Sequence, residues 1–208
     1  MARTIVVDDA LAGLRLRSLR DAATPPARFR EDARALGMLL AREALRELPT
    51  RRCEVDGPLG RAVLSVPDAE VVAVPVLRAG LGLLPGVHDL VSDASVGMIG
   101  LERDPETLEA RRYYGKVPDL DGAWVLLLEP MLATGGSASD ALDELDLERA
   151  ARVLVIAVVA TEQAIARVHD RHGVDVVTAA IDEGLDDNGY IVPGLGDFGD
   201  RVLGTPHD

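Results

Sequence analysis

Five short apolar runs restrict the architectures open to this chain. EVVAVPVL (70–77), SVGMIGL (95–101), AWVLLLE (123–129), RVLVIAVVA (152–160) and VDVVTAA (174–180) are rich in valine and have the length of buried strands. Helical patterns lie between most of them, at 81–90, 137–145 and 161–172. Strands that alternate with helices are parallel and joined by crossovers, so the sequence predicts an α/β fold built on a doubly wound parallel sheet. Upstream, Phe29, Ala33, Leu36, Leu40, Ala44 and Leu48 recur at spacings of three and four, which places them on one face of an amphipathic helix that starts at Pro26 and is ended by Pro49. A turn-rich stretch surrounds Asp56, Gly57 and Pro58. No internal repeat, low-complexity tract or long polar linker divides the chain, so residues 1–208 are expected to form one domain around a substantial core.

In doubly wound sheets ligands bind beyond the carboxyl ends of the strands, which directs attention to the loops at Arg78, Glu102, Glu129, Thr161 and Asp182. One connection departs from the pattern. Residues 102–122 contain no convincing helix, and a loop of that length in a compact domain is usually functional or mobile.

The formal net charge of -13 repels nucleic acid and anionic membrane surfaces, so the expected partner is a small molecule, and an anionic one requires a local cationic site. No run approaches about 18 uncharged apolar residues. The opening MARTIVVDDA carries two aspartates where a signal peptide needs an apolar segment, so a cytoplasmic location without membrane association is expected. The one cysteine, Cys53, has no internal disulfide partner and reads as a structural thiol in a loop. Lys116 is the single lysine, and no Gly-Lys-Ser/Thr occurs, which excludes the usual ATP-binding P-loop.

The strongest local signal is LLLEPMLATGGSASDAL, in which an apolar strand ends at Glu129 and a loop with Thr134, Gly135, Gly136 and Ser137 opens a helix. Paired glycines let backbone come close to a ligand, and a helix start offers unpaired amides and the positive end of a dipole, a combination suited to a phosphate monoester. Glu129 at the strand end is placed to accept hydrogen bonds from vicinal sugar hydroxyls. Taken alone, the pattern is also that of a tight structural turn. Arg78, in LRAG, offers a permanently charged, bidentate partner for a diphosphate, or else a surface ion pair. Gly80, Gly82 and Gly86 followed by Glu102 imitate a dinucleotide fingerprint, although Pro85 interrupts the expected helix start. In GYIVPGLGDFGDR, Gly189, Gly194, Gly196 and Gly199 leave backbone groups exposed to a ligand. Asp182 and Glu183 lack any histidine at ligand spacing and read as structural, and the four histidines are assigned no role.

EPMLATGGS, VPVLRAGLGLLPGV, GLERDPETLEARRYYGKVP and IDEGLDDNGYIVPGLGDFGDRVLGT occur in the order found in uracil phosphoribosyltransferases, and the likeness continues weakly upstream through RSLRD and ARALGMLLAREA. The chain resembles that family over nearly its whole length. The resemblance implies a sheet of the type I phosphoribosyltransferase kind and a reaction of uracil with 5-phosphoribosyl 1-diphosphate (PRPP), with Mg2+ bound through PRPP and no metal held directly by the protein. It implies that Arg78, Arg103 and Asp197 are catalytic and that PRPP is bound by Arg78, Arg103, Glu129, Pro130, Met131, Leu132, Ala133, Thr134, Gly135, Gly136, Ser137 and Asp197. Uracil would meet Ile191, Gly196, Asp197 and Phe198, within a base-binding segment at about 182–205. Residues 102–122, with Arg111, Arg112, Tyr113, Tyr114 and Lys116, would form a mobile lid, unless they are a solvated charged loop. A homodimer or higher homo-oligomer is expected. The chain departs from the family at Glu129, which stands where an aspartate is usual. A non-catalytic sensor of PRPP or UMP on the same fold is the competing reading.

Overall fold

The computed structural model describes residues 1–103 and 110–205, and of residues 102, 103, 110 and 111 the backbone alone. The chain runs through β1 (Thr4–Val6), α1 (Ala10–Arg20), α2 (Pro26–Ala44), β2 (Thr50–Gly57), β3 (Gly60–Pro67) and β4 (Val71–Leu77). A 3-10 turn (Ala79–Gly82) leads to α3 (Leu84–Leu90), β5 (Ser95–Val96), β6 (Met98–Arg103) and β7 (Ala110–Lys116). There follow β8 (Trp124–Leu128), β9 (Met131–Leu132), α4 (Gly136–Asp143), β10 (Arg152–Thr161) and α5 (Glu162–His172). The last elements are β11 (Asp175–Asp182), β12 (Gly184–Leu185), β13 (Ile191–Val192) and α6 (Phe198–Leu203).

The main sheet has the order β1-β11-β10-β8-β4-β6-β7. Its pairings are parallel except at the β6–β7 edge. Successive residues on a strand face opposite sides of a sheet, and the central strands are apolar on both. Ala73, Leu126, Leu128, Leu154 and Ile156 join a core with Phe29, Leu36 and Leu40 of α2, Val87 of α3 and Phe198 of α6. Their neighbours Val72, Val74, Val125, Leu127, Val153 and Val155 join a second core with Ala138, Ala141 and Leu142 of α4 and Ile165 and Val168 of α5. Helices therefore cover both faces, as the continuous apolar runs require.

Packing, more than helix propensity, holds α2. It has no side-chain cap and carries Gly37 in its interior, a cost of roughly 1 kcal/mol against alanine. Fully burying Phe29, Leu36 and Leu40 contributes about 2 kcal/mol each and outweighs it. Gly37 itself is needed for a close approach, because a Cβ there would lie 2.9 Å from the carbonyl oxygen of Leu83.

Three expectations are corrected. The helix from Pro26 ends at Ala44, not beside Pro49. Tight turns from Arg46 N–H to Glu43 O (3.2 Å) and from Leu48 N–H to Leu45 O (3.0 Å) precede the proline, whose ring disfavours helical backbone in the residue before it. Within 102–122, residues 110–116 are not loop but strand β7, paired with β6 through Met98↔Lys116, Ile99↔Gly115 and Gly100↔Tyr114, with a register shift at Tyr113; tyrosines suit a pleated strand. Of the expected lid, residues 104–109 lie outside the described residues. The turn-rich stretch near Asp56 is the tip of a β2–β3 hairpin, and Cys53 sits on β2, opposite Leu64, not in a loop. Among the described residues no helix is long and apolar enough to cross a membrane.

The sheet's order reverses between β4 and β8. From β4 the chain moves outward to β6, then returns to β8 on the other side of β4. A crevice at such a switch point is where doubly wound sheets bind their ligands, and beyond these two strand ends stand Arg78 and Glu129.

Candidate active site

Glu129 follows the last residue of β8 and is buried. Its N–H donates to the carbonyl of Ile156 at 3.0 Å, which continues the ladder to β10. Burial pushes its carboxyl up to about 8, against a hydrogen bond from the Met131 N–H that favours the charged form. In the absence of ligand the carboxyl therefore keeps its proton to higher pH than an ordinary glutamate, and while protonated it can donate one hydrogen bond as well as accept.

From Glu129 the chain crosses Pro130 and re-enters the sheet as β9, with Met131 and Leu132 opposite Val159 and Ala160 of β10. Gly135 then adopts φ 73° before α4 begins. A Cβ at Gly135 would also lie 2.9 Å from the carbonyl oxygen of Ala164, so glycine is required twice over. The Gly136 N–H donates to Thr134 Oγ1 at 3.3 Å, while the next amides of the first turn have no intrahelical acceptor. No acidic residue occupies that turn, which leaves the helix dipole open to an anion. Thr161, one of the strand-end positions singled out for chemistry, serves the loop instead. Its hydroxyl donates to the Ala133 carbonyl at 2.7 Å and accepts the Ala164 N–H at 3.2 Å, so it caps α5 and pins the loop before α4 from behind. Strand-end placement marked Thr161, but nothing in its neighbours indicated this partner.

A cavity of about 230 Å3 opens between this loop and the glycine-rich segment, lined by Ala79, Glu129, Met131, Ala133, Gly189, Tyr190, Ile191, Gly196, Asp197, Phe198 and Gly199. It brings together Glu129, Met131, Ala133, Ile191, Gly196, Asp197 and Phe198 from the sequence prediction. Leu132 belongs to the core under α4 and α5, and Pro130 is buried, so neither side chain borders the cavity. Thr134, Gly135, Gly136 and Ser137 continue from its wall at Ala133 into α4. Phe198, which lines the cavity, packs its ring edge-to-face with Phe29 in the core at 5.1 Å between centroids. Asp197 caps α6 by accepting the Asp200 N–H at 2.8 Å. Arg78 is half exposed and paired with Asp200 at 2.9 Å. Arg103 ends β6, and its side chain lies outside the described residues, as does that of Arg111. Arg112 is paired with Glu144, the C-cap of α4.

The dinucleotide alternative fails on packing. A Cβ on Gly80 would stand 2.4 Å from the Leu128 carbonyl oxygen, and one on Gly82 would stand 2.7 Å from the Phe198 ring. These glycines make room for the neighbouring strand and for Phe198, and they open a 3-10 turn, not a phosphate-binding helix. Asp182, read as structural, is ion-paired with Arg20 at 2.6 Å. A larger groove of about 450 Å3 beside Ala27, Leu81, Pro85 and Val202 contains none of the predicted site residues.

A parallel sheet with its switch point at β4 and β8, a strand-end carboxyl and a glycine loop opening α4 define an α/β protein of the phosphoribosyltransferase fold. A purine phosphoribosyltransferase from Pyrococcus horikoshii shares it with a TM-score of 0.50 and 13% identity, over 71% of this chain and 81% of that one. The AQ2163 protein from Aquifex aeolicus superposes with a TM-score of 0.90 at 35% identity, over 96% of this chain and 97% of its own. A family model described as uracil phosphoribosyltransferase matches residues 6–205. Curated relatives described as uracil phosphoribosyltransferase come from Symbiobacterium thermophilum, 43% identical over 99% of this chain and 100% of that one, and from Thermus thermophilus, 46% identical over 98% and 99%. The chain belongs to the uracil phosphoribosyltransferase family.

Proposed function

We propose that this protein is a uracil phosphoribosyltransferase, which joins N1 of uracil to C1 of the ribose of PRPP and releases diphosphate, giving UMP in pyrimidine salvage. The observation that carries the reading is the cavity at the sheet's switch point, walled on one side by the loop that runs from Glu129 into α4 and on the other by residues 189–199. Thr134, Ser137 and the amides that open α4 hold the 5′-phosphate. Glu129 meets the ribose hydroxyls. Ile191, Gly196, Asp197 and Phe198 line the place of the base, with Asp197 also on the ribose side.

As the C1–O bond to diphosphate breaks, positive charge grows on the ribose and negative charge on the leaving group; the C1–N1 bond forms and the N1 proton passes to water or to an oxygen of the departing diphosphate. No protein nucleophile is required. Arg78 exchanges Asp200 for diphosphate oxygens and acts with Arg103, so that the charge developing in the transition state meets fixed cations. Asp197 on the cavity wall is an oxygen donor of the kind Mg2+ accepts, and Glu129 becomes one on ionising; one or two carboxylates beside substrate phosphates is the usual setting of this ion. Mg2+ bound through PRPP would add positive charge at the departing diphosphate. Positioning the base behind C1 supplies the remainder of the rate enhancement.

The proposed location is the cytoplasm. The proposed assembly is a homodimer, supported by the β2–β3 hairpin, which leaves Val55, Leu59, Val63 and Leu64 exposed; light scattering at micromolar concentration tests it, and a clean monomer would refute it. Incubation with uracil, PRPP and Mg2+ should yield UMP. Binding of PRPP without turnover would instead favour a sensor.

A further inference from the structure

Two guanidinium groups support the 189–199 segment without bordering the cavity. Arg20, the last residue of α1, donates through Nη1 and Nη2 to Asp182 at 2.9 and 2.6 Å. Its Nη1 also donates to the Gly194 carbonyl at 2.8 Å. The same Asp182 carboxylate accepts the Gly194 N–H at 2.9 Å, so both backbone polar groups of Gly194 are held by one ion pair. Gly194 has φ 54°, and a Cβ on it would lie 2.0 Å from the carbonyl oxygen of Ile191. Only glycine permits that turn.

Arg201 of α6 holds the next residue. Its Nη1 donates to the Leu195 carbonyl at 2.7 Å and to that of Leu19. Its Nη2 donates to the Asp21 carbonyl at 2.6 Å, and its guanidinium lies 4.4 Å from the centre of the Phe29 ring. The end of α1, where carbonyls lack intrahelical donors, is thereby sewn to 194–195 from two directions. Neither arginine touches the cavity, whereas Ile191 and Gly196, on either side of the clamped pair, line it.

A segment with glycines at φ 54° and 78° has unusual freedom when unrestrained. A base read by backbone groups is discriminated only if those groups keep their direction. A bidentate, mostly buried Arg–Asp pair supplies that constraint, which a point charge on a flexible stem does not. We propose that Arg20, Asp182 and Arg201 are positioning residues that fix the direction of the base-reading backbone, and through it set both the affinity for uracil and the rejection of cytosine. The inference rests on the reading of 189–199 as the base site.

Steady-state kinetics on the wild type, Arg20→Met, Arg20→Lys and Arg201→Lys test it, with KM for uracil and for PRPP measured separately and kcat/KM compared for uracil and cytosine. Arg20→Met is expected to raise KM for uracil by about tenfold or more, to keep KM for PRPP within about threefold, and to narrow the preference over cytosine by about tenfold. Arg20→Lys should fall between it and the wild type, and it carries the test together with Arg201→Lys if Arg20→Met does not fold. Equal rises in both KM values, or an unchanged preference over cytosine, would overturn the clamp while leaving the proposed activity intact. A wild type that forms no UMP would overturn the activity itself and the clamp with it.

Discussion

Replacing Glu129 by glutamine should remove a pH dependence that the wild-type fold carries. Glutamine preserves the size of the side chain and an oxygen to accept the Met131 N–H, but it cannot ionise. In the wild type, burial raises the carboxyl from 4.5 to about 8. The unfolded chain releases this proton near the ordinary value, so between about pH 4.5 and 8 the native state binds more protons than the unfolded one. Stability contributed by this group is therefore full below the unfolded value and is lost as pH rises towards 8. At about 1.4 kcal/mol per pH unit, the whole span comes to about 5 kcal/mol. Relaxation and water entry around a buried charge reduce that ceiling, so a change of about 2–5 kcal/mol is expected. Urea unfolding of ligand-free wild type and Glu129→Gln at pH 5, 6, 7, 8 and 9 isolates the term, because every other titrating group is common to both proteins. The glutamine variant should gain on the wild type steadily from pH 5 to pH 8 and hold its advantage at pH 9. A difference that stays constant with pH would refute the assignment of a buried, proton-retaining Glu129.

Glu129→Asp, which puts in place the residue the family resemblance leads one to expect, should keep or raise kcat in a UMP-forming assay; abolished activity would show that the ribose role is misplaced. Arg103→Ala should keep the circular-dichroism melt of the wild type and lose about a hundredfold or more in turnover, the typical effect of removing one preorganised donor, roughly 3 kcal/mol. Near-normal turnover would refute its role at the diphosphate. Cytosine presents an acceptor where uracil has a ring N–H donor and an amino group where it has an acceptor, so kcat/KM for cytosine should be lower by about 10⁴. Use of cytosine within tenfold of uracil would sink recognition by fixed backbone groups.

The central strands were legible because burial on both faces leaves a continuous apolar signature: β4 and β8 are apolar throughout, and β10 is apolar from Val153 to Ala160. The same logic explains what was missed. Every residue of β2 and β3 is exposed or only half-buried, so neither the period of a half-buried strand nor an apolar run could form, and only the turn between them left a trace. In β7, arginines and tyrosines at the sheet edge read as a charged loop, and its pairing to β6 is specified by the partner strand.

The candidate site divides in the same way. Residues whose task depends on local backbone, such as Gly135 opening α4, announce themselves in a few consecutive letters. Residues whose task depends on what the fold brings near them do not. Arg20 and Asp182 stand 162 residues apart, and nothing local to either names the other or points to Gly194. The absence of a histidine at ligand spacing speaks against a metal at Asp182 but says nothing of its partners. Glu129 shows the limit most plainly. Its position at a strand end was legible, but its protonation was not, because a carboxyl titrates according to the water it has lost, and that loss is decided by the surrounding fold, including the segment at 189–199, brought to the same cavity from a distant part of the chain.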